Sequence, residues 1–151
     1  MPQSHAHLLA HIVFSTKNRQ RLLSTPALRS GMNAYLVGTL RGLKCPPVEV
    51  NCVEDHVHIM CLQSRNLSPK KMVGDIKTAS SKWAKRQAPG LKSFYWQGGY
   101  GMFSVSQSKV SAVRRYIDNQ EKHHRKISFK DEFRELRRRH NIKFDERYVW
   151  D

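Results

Sequence analysis

The stretch VEVNCVEDHVHIMCLQ, Val48 to Gln63, decides how the chain folds. It holds two strand-like runs around Glu54-Asp55. With those two residues as a turn, Val53 faces His56, Asn51 faces His58 and Glu49 faces Met60. The opposite face pairs Cys52 with Val57, Val50 with Ile59 and Val48 with Cys61. One face is then wholly apolar and the other carries the polar side chains, as a half-buried antiparallel hairpin needs. Glu-Asp is not a favoured two-residue turn, so the sorting of faces carries the reading. His56 and His58, two apart on one strand, project from the same face and start close enough to share one ion. Spacing alone is weak evidence in a chain with 8 His. His5-Ala6-His7 repeats it near the chain start, outside any such framework.

Outward from the hairpin, HLLAHIVFS (His7 to Ser15) reads as a first strand, and the basic loop TKNRQR follows. Thr25 then caps a helix with Pro26 at its first position. Leu28, Met32, Tyr35, Leu36, Leu40 and Leu43 recur at helical spacing until Gly42 and Pro46-Pro47 stop it. Ser68-Pro69 opens a second helix, running to about Gln87. It buries a stripe of Met72, Val73, Ile76, Ala79, Ser80 and Trp83 and turns a cationic face outward. FYWQGGYGMFSVS (Phe94 to Ser106) reads as an aromatic strand interrupted by glycines, which mark a bulge, a hinge or close approach of a ligand. A third helix spans about Ser108 to His124 on a seam of Val110, Val113 and Ile117. A last one lies in SFKDEFRELRRRH, with Ser128 as cap, acids in its first turn and Arg137 to Arg139 in its last. The aromatic tail NIKFDERYVWD reads as docked. The order is strand, helix, hairpin, helix, strand, helix, helix, which suits an α+β fold with helices packed on an antiparallel sheet.

A chain of 151 residues with 39% hydrophobic content fits one domain, residues 1–151, with a sizeable core. Lys+Arg 27 against Asp+Glu 12 leaves a net charge of +15. A field of that sign attracts polyanions, nucleic acid foremost. No run is long and apolar enough to span a bilayer and no signal peptide is visible, so the expected compartment is the cytoplasm. Cys45, Cys52 and Cys61, odd in number and set among apolar residues, read as free thiols. A zinc site of Cys52, His56, His58 and Cys61 is conceivable but lacks the C-x-x-C spacing of zinc knuckles.

Tyr116 and Gln120 stand four apart on the third predicted helix, pointing the same way beside its seam, and His123 and His124 continue that side. DHVHIM together with YIDNQ resembles the HUH-type single-tyrosine transposases of the insertion sequence 200/605 class. The likeness extends over HLLAHIVFSTKNRQRLL at the start, WQGGYGMFSVS before the tyrosine helix and FDERYVWD at the end. The resemblance implies a ferredoxin-like, RNA-recognition-like sheet with surrounding helices. It implies that His56, His58 and Gln120 ligate one divalent ion, Mg²⁺ or Mn²⁺, and that Tyr116 is the nucleophile. It further implies single-stranded DNA with hairpin ends as substrate, a 5′-phosphotyrosine with a free 3′-OH as intermediate, and a homodimer in which one subunit's tyrosine completes the other's His pair.

Physical reasons stand beside that likeness. A phosphodiester repels nucleophiles, and a cation at its oxygens offsets that charge. A tyrosine in place of water keeps the bond energy in a covalent intermediate, as strand exchange requires. Two imidazoles and an amide form a neutral ligand set, softer than Mg²⁺ usually prefers. Asp55 is either a partner that orients a histidine or simply a turn residue. Candidate phosphate contacts are Lys17, Arg19, Arg21, Lys70, Lys71, Lys77, Lys82, Lys85 and Arg86, with Arg134 to Arg139. Tyr100 and Trp96 are candidates for stacking unpaired bases, Trp96 more naturally a core residue. Two rivals remain: a non-catalytic nucleic-acid-binding ferredoxin-like module, and a domesticated nickase of the same chemistry tied to genomic palindromes.

Overall fold

In the computed structural model, which describes residues 2–147, 149 and 150, four antiparallel strands pair in the order β2-β3-β1-β4. They are β1 (Leu9–Ser15), β2 (Pro47–Cys52), β3 (His56–Leu62) and β4 (Gly101–Ser104). The helices are α1 (Pro26–Gly42), α2 (Pro69–Lys85), α3 (Val110–Asp118), α4 (Gln120–His123) and α5 (Phe129–Arg139). The expected α+β architecture is present. Among the described residues no helix is long and apolar enough to cross a membrane.

Local chemistry sets the helix starts. Thr25 Oγ1 accepts from Leu28 N at 3.1 Å, Ser68 Oγ from Lys71 N at 3.1 Å and Ser128 Oγ from Asp131 N at 3.3 Å. Each satisfies one orphan donor of a first turn. The hairpin has the register read from its sequence at Asn51 with His58, Cys52 with Val57, Val50 with Ile59 and Glu49 with Met60. A bulge between Pro47 and Glu49 then places Pro47, not Val48, opposite Cys61. The unfavoured Glu54-Asp55 turn is held from outside. Leu23 N donates to Glu54 O at 3.0 Å and Thr16 N donates to Asp55 O at 2.8 Å.

One sheet face packs on α1 and α2 through Ile12, Phe14, Val57, Ile59, Met32, Leu36, Met72 and Ile76. Cys45, Cys52 and Cys61 are buried there as free thiols. Desolvation pushes the thiols of Cys52 and Cys61 up to about 12. They face away from the His pair, so the four-residue zinc alternative fails. The other face is not open to solvent, as the alternation of side chains suggests. A second apolar cluster of Val13, Phe103, Phe129, Phe133 and Leu136 lays α5 across it. Gly101 permits that approach, because a Cβ there would meet Phe133 Cε2 at 2.6 Å. The close approach expected at the glycines is thus made by a ring of the protein itself.

Two elements differ from expectation. The aromatic strand shrinks to β4, and Trp96 forms only an isolated bridge to Thr16. Trp96 is buried, donating from Nε1 to Ser80 Oγ at 2.9 Å, so it is a core residue. The third helix breaks at Asn119 into α3 and α4. Just before the break, Asn51 Nδ2 donates to Ile117 O at 2.8 Å. In the tail, Trp150 lies on Phe133 with ring centroids 5.8 Å apart. Tyr148 and Asp151, both within the quoted tail motif, lie outside the described residues.

Candidate active site

Three elements aim side chains into the space between the sheet and the C-terminal helices. From β3 come His56 and His58, both with no exposed surface. Their rings are 5.3 Å apart, as same-face neighbours on a strand should be. The α3–α4 segment brings Tyr116, Gln120, His123 and His124. Despite the break at Asn119, Gln120 Nε2 donates to Tyr116 O at 3.2 Å, which keeps the two residues on one side. Gln120 is fully buried and its Oε1 stands 3.3 Å from His56 Nε2. The Tyr116 ring lies 5.6 Å from that of His58. The four residues singled out by sequence therefore meet within one chain. The resemblance implies one subunit's tyrosine beside another's His pair; within this single chain Tyr116 already lies beside its own His58.

Sequence reasoning missed the residue at the centre. Glu132 is 3% exposed and its carboxylate touches His56, His58, His123, His124 and Tyr116. Its Oε1 lies 2.8 Å from His58 Nε2, 3.1 Å from His124 Nε2 and 3.4 Å from His56 Nε2. Its Oε2 lies 3.2 Å from His123 Nε2 and accepts from the Tyr116 hydroxyl. The signal was present in α5. Phe129, Glu132, Phe133 and Leu136 form its buried stripe, so Glu132 is an acid at an apolar position. Read as one of two first-turn acids, it looked like an ordinary dipole partner. His11 was missed as well. On β1 it faces the same side, two residues before Val13, the register partner of His58, and its Nε2 lies 2.8 Å from His58 Nδ1.

The outer contacts orient the rings. Asp55 Oδ1 accepts from His56 Nδ1 at 2.7 Å, which turns His56 Nε2 toward the cluster. Asp55 is thus both a turn residue and the partner that orients a histidine. On His58, His11 takes Nδ1 and leaves Nε2 facing Glu132.

Charge follows from these contacts. Burial alone would lower the pKa of His56, but hydrogen bonds to Asp55 and Glu132 outweigh it and raise the value to about 9. Burial lowers His58, and burial together with the nearby His58 lowers His11 to about 3. Burial would raise Glu132, yet His58 and the hydrogen bonds of His124 and His56 carry it well below the usual carboxylate range. These directions fit an imidazolium at His56 facing the Glu132 carboxylate, with His11 neutral. Tyr116 is pushed up, first by burial and then by the charge of Glu132.

A stability profile follows for the ion-free protein. Stability from His56 is complete below its ordinary pKa of 6.5 and is lost as pH rises through about 9. His11 acts oppositely, because its depressed pKa costs stability as pH falls below 6.5 toward 3. Chemical denaturation in EDTA should therefore show a maximum near pH 6.5 and a decline on both sides. A His56→Gln variant should lose the decline between pH 6.5 and about 9.

The residues fit a divalent cation. Ligand atoms of His56, His58, His124 and Glu132 all lie within 4.8 Å of one another. An octahedral ion with bonds of about 2.1 Å sets neighbouring ligands about 3 Å apart. The spacings around Glu132 Oε1, 2.8 to 3.4 Å, bracket that figure. His124 Nδ1 donates to Ile127 O at 2.7 Å, which leaves Nε2 facing Glu132 Oε1 at the edge of the group. Beside the cluster, a cavity of about 710 Å³ is lined by Arg21, Arg29, Asn33, Asp55, His124 and Arg125, among others.

The candidate phosphate contacts scatter. Lys70, Lys71 and Lys82 on α2, and Arg86 just past its end, are exposed on the far side of the sheet from His56 and His58. Lys71 pairs with Asp75 at 2.9 Å, and Lys85 lies 4.1 Å over the Tyr95 ring. Lys77 is not a free cation. Its Nζ donates to Gln97 O at 2.8 Å and Gly99 O at 2.6 Å, and burial lowers its pKa to about 8. Tyr100 packs against the α1–α2 core with part of its ring exposed. Arg21 lines the cavity, Lys17 is exposed on the loop after β1, and Arg19 Nη1 donates to Trp150 O at 3.4 Å. Arg134 is paired with Glu146, and Arg138 and Arg139 with Glu135. His7 bonds to Gln107 Oε1 at 2.8 Å, remote from the cluster, and His5 is exposed.

Comparison with known proteins gives a consistent picture. A family model described as "Transposase IS200 like" matches residues 4–120. A candidate transposase from Deinococcus radiodurans R1 is similar in structure at 20% identity and a TM-score of 0.61, over 80% of this chain and 98% of that one. A REP-associated tyrosine transposase bound to a REP hairpin is similar at 16% identity and a TM-score of 0.53, over 82% of this chain and 74% of that one. At such identities the two structures speak for the fold. No curated protein matches the chain.

Proposed function

Since the chain belongs to the IS200-like transposase family, we propose that it cleaves and rejoins single-stranded DNA through Tyr116, at hairpin-bearing ends. The observation that carries this reading is the meeting of Tyr116 and Gln120 with the buried His56–His58 pair, Gln120 Oε1 standing 3.3 Å from His56 Nε2. His56, His58 and Gln120 would hold a divalent ion, Mg²⁺ or Mn²⁺. When bound, such an ion supplies positive charge to the oxygens of the scissile phosphodiester.

The remaining steps belong to the chain's own groups. The Tyr116 oxygen bonds to phosphorus, the P–O3′ bond breaks, and the strand leaves with a 3′-OH while its other half stays as a 5′-phosphotyrosine. Attack by another 3′-OH reverses the exchange onto a new end and frees Tyr116, so no external energy source is consumed. Gln120 and the α3–α4 break set where the tyrosine stands; His11 and Asp55 set which nitrogens face it. The net charge of +15 supports the attraction to nucleic acid. Two copies, each with its own site, would hold two ends for exchange.

The test incubates the protein with single-stranded hairpin DNA and Mn²⁺ and looks for an adduct that survives denaturation. Mixing two inactive variants tests assembly within one chain. Tyr116→Phe mixed with His58→Ala should stay inactive, because neither chain carries a complete site. Recovery of the adduct in the mixture would mean that subunits share their residues.

A further inference from the structure

We propose that Glu132 is a ligand of the divalent ion, and that its carboxylate joins the ion site to the nucleophile. This deepens the reading above and rests on the ion being held by His56 and His58. Glu132 comes from α5, outside the strand pair and tyrosine segment that carried the family likeness and beyond the residues matched by the family model.

Three observations converge on it. Its Oε1 is aimed into the ring of Nε2 atoms from His56, His58 and His124, at separations suited to shared coordination. It is 3% exposed, yet no Lys or Arg pairs with it among the contacts of the described residues. Among the described residues its ion-pair partners are all imidazoles, and imidazoles that serve as ligands supply lone pairs instead of charge. A divalent ion resolves that conflict, satisfying the carboxylate and the imidazoles together. Last, Oε2 accepts from the Tyr116 hydroxyl, so one rigid group positions the nucleophile relative to the ion ligands.

The inference changes the donor chemistry. Two imidazoles and an amide are a neutral set; with Glu132 the set carries a negative charge and a hard oxygen. That shifts preference toward Mg²⁺ and Mn²⁺ over softer ions. Glu132 also makes α5 a working part of the site, which its Phe129–Phe133–Leu136 packing anchors to the sheet.

Calorimetric titration with Mn²⁺ and with Co²⁺, together with the ion-induced shift in Tm, tests this without any cleavage assay. Substitution of outer-shell partners typically weakens metal binding about 10–100-fold, so Glu132→Gln should weaken Mn²⁺ by at least that. The loss for the softer Co²⁺ should be smaller. Asp131→Asn, at the exposed neighbouring acid, should bind like the parent. An anomalous-scattering map of Mn²⁺-soaked crystals of the unaltered protein should show the ion against Glu132 Oε1, a readout independent of any variant's folding. Glu132→Gln binding Mn²⁺ as tightly as the parent or more so, while His58→Ala has lost it, overturns the Glu132 assignment alone. An unaltered protein that binds no ion overturns both this inference and the reading on which it rests.

Discussion

Tyr116→Phe should yield no denaturation-resistant protein–DNA adduct while the variant still binds the hairpin. The expected loss of strand cleavage is at least about 10⁴-fold, the scale seen when a covalent nucleophile is deleted. The substitution is nearly silent for the fold. A Phe ring keeps the edge contacts that Tyr116 makes with His58, His11 and His123, at centroid distances of 5.6, 6.1 and 5.4 Å. Only the hydroxyl's bond to Glu132 is lost, and that carboxylate retains its imidazole neighbours. A bond to a charged acceptor is worth about 1.5–3 kcal/mol, so Tm should fall modestly without unfolding the protein. Abolished chemistry beside intact binding separates a nucleophile from a packing residue. Burial and the charge of Glu132 both keep the phenol protonated in the ion-free protein. A nucleophile held that way depends on a nearby cation, so omitting the ion should silence the parent protein as well. An adduct formed at normal rate by Tyr116→Phe would place the nucleophile elsewhere.

Much of this site was legible because it rests on local rules. Period-two alternation placed His56 and His58 on one face and gave four of the hairpin's pairings. Side-chain caps marked three helix starts at Thr25, Ser68 and Ser128. What escaped depends on the tertiary arrangement. Alternation in Val48–Gln63 separates an apolar face from a polar one, but it cannot say whether the polar face meets water. Here α3, α4 and α5 cover it, so an apparently solvated His pair becomes a sealed one. The same covering makes Glu132 a buried centre, although its sequence context is that of a solvent-facing acid near a helix start. Cationic Lys77 was grouped with its neighbours on α2, whereas two carbonyls in the glycine stretch capture its ammonium. The break at Asn119 had no Gly or Pro to announce it. Asn51, from a strand distant in sequence, takes the Ile117 carbonyl beside it.

The second large effect is expected at His58. Its ring is fully buried, flanked by His11 on Nδ1 and by Glu132 on Nε2. His58→Ala removes one of the two imidazoles that would hold the ion and leaves the carboxylate of Glu132 with a weaker set of partners. Charge stabilisation by a bound cation is worth several kcal/mol, so cleavage should fall by about 10³-fold or more. The Mn²⁺ concentration for half-maximal activity should rise by at least about 100-fold, since a direct ligand should cost no less than an outer-shell partner. That dependence distinguishes lost coordination from lost packing. A cavity-forming defect would lower activity and Tm equally at every ion concentration, whereas a missing ligand is partly compensated as Mn²⁺ increases. His5→Ala gives the matching control, because the same His-x-His spacing near the chain start is exposed and outside the cluster. It should cleave like the parent. If His58→Ala instead cleaves at the parent rate, or cleaves equally well in EDTA, then the buried histidine pair is a packing feature of the sheet and not an ion site.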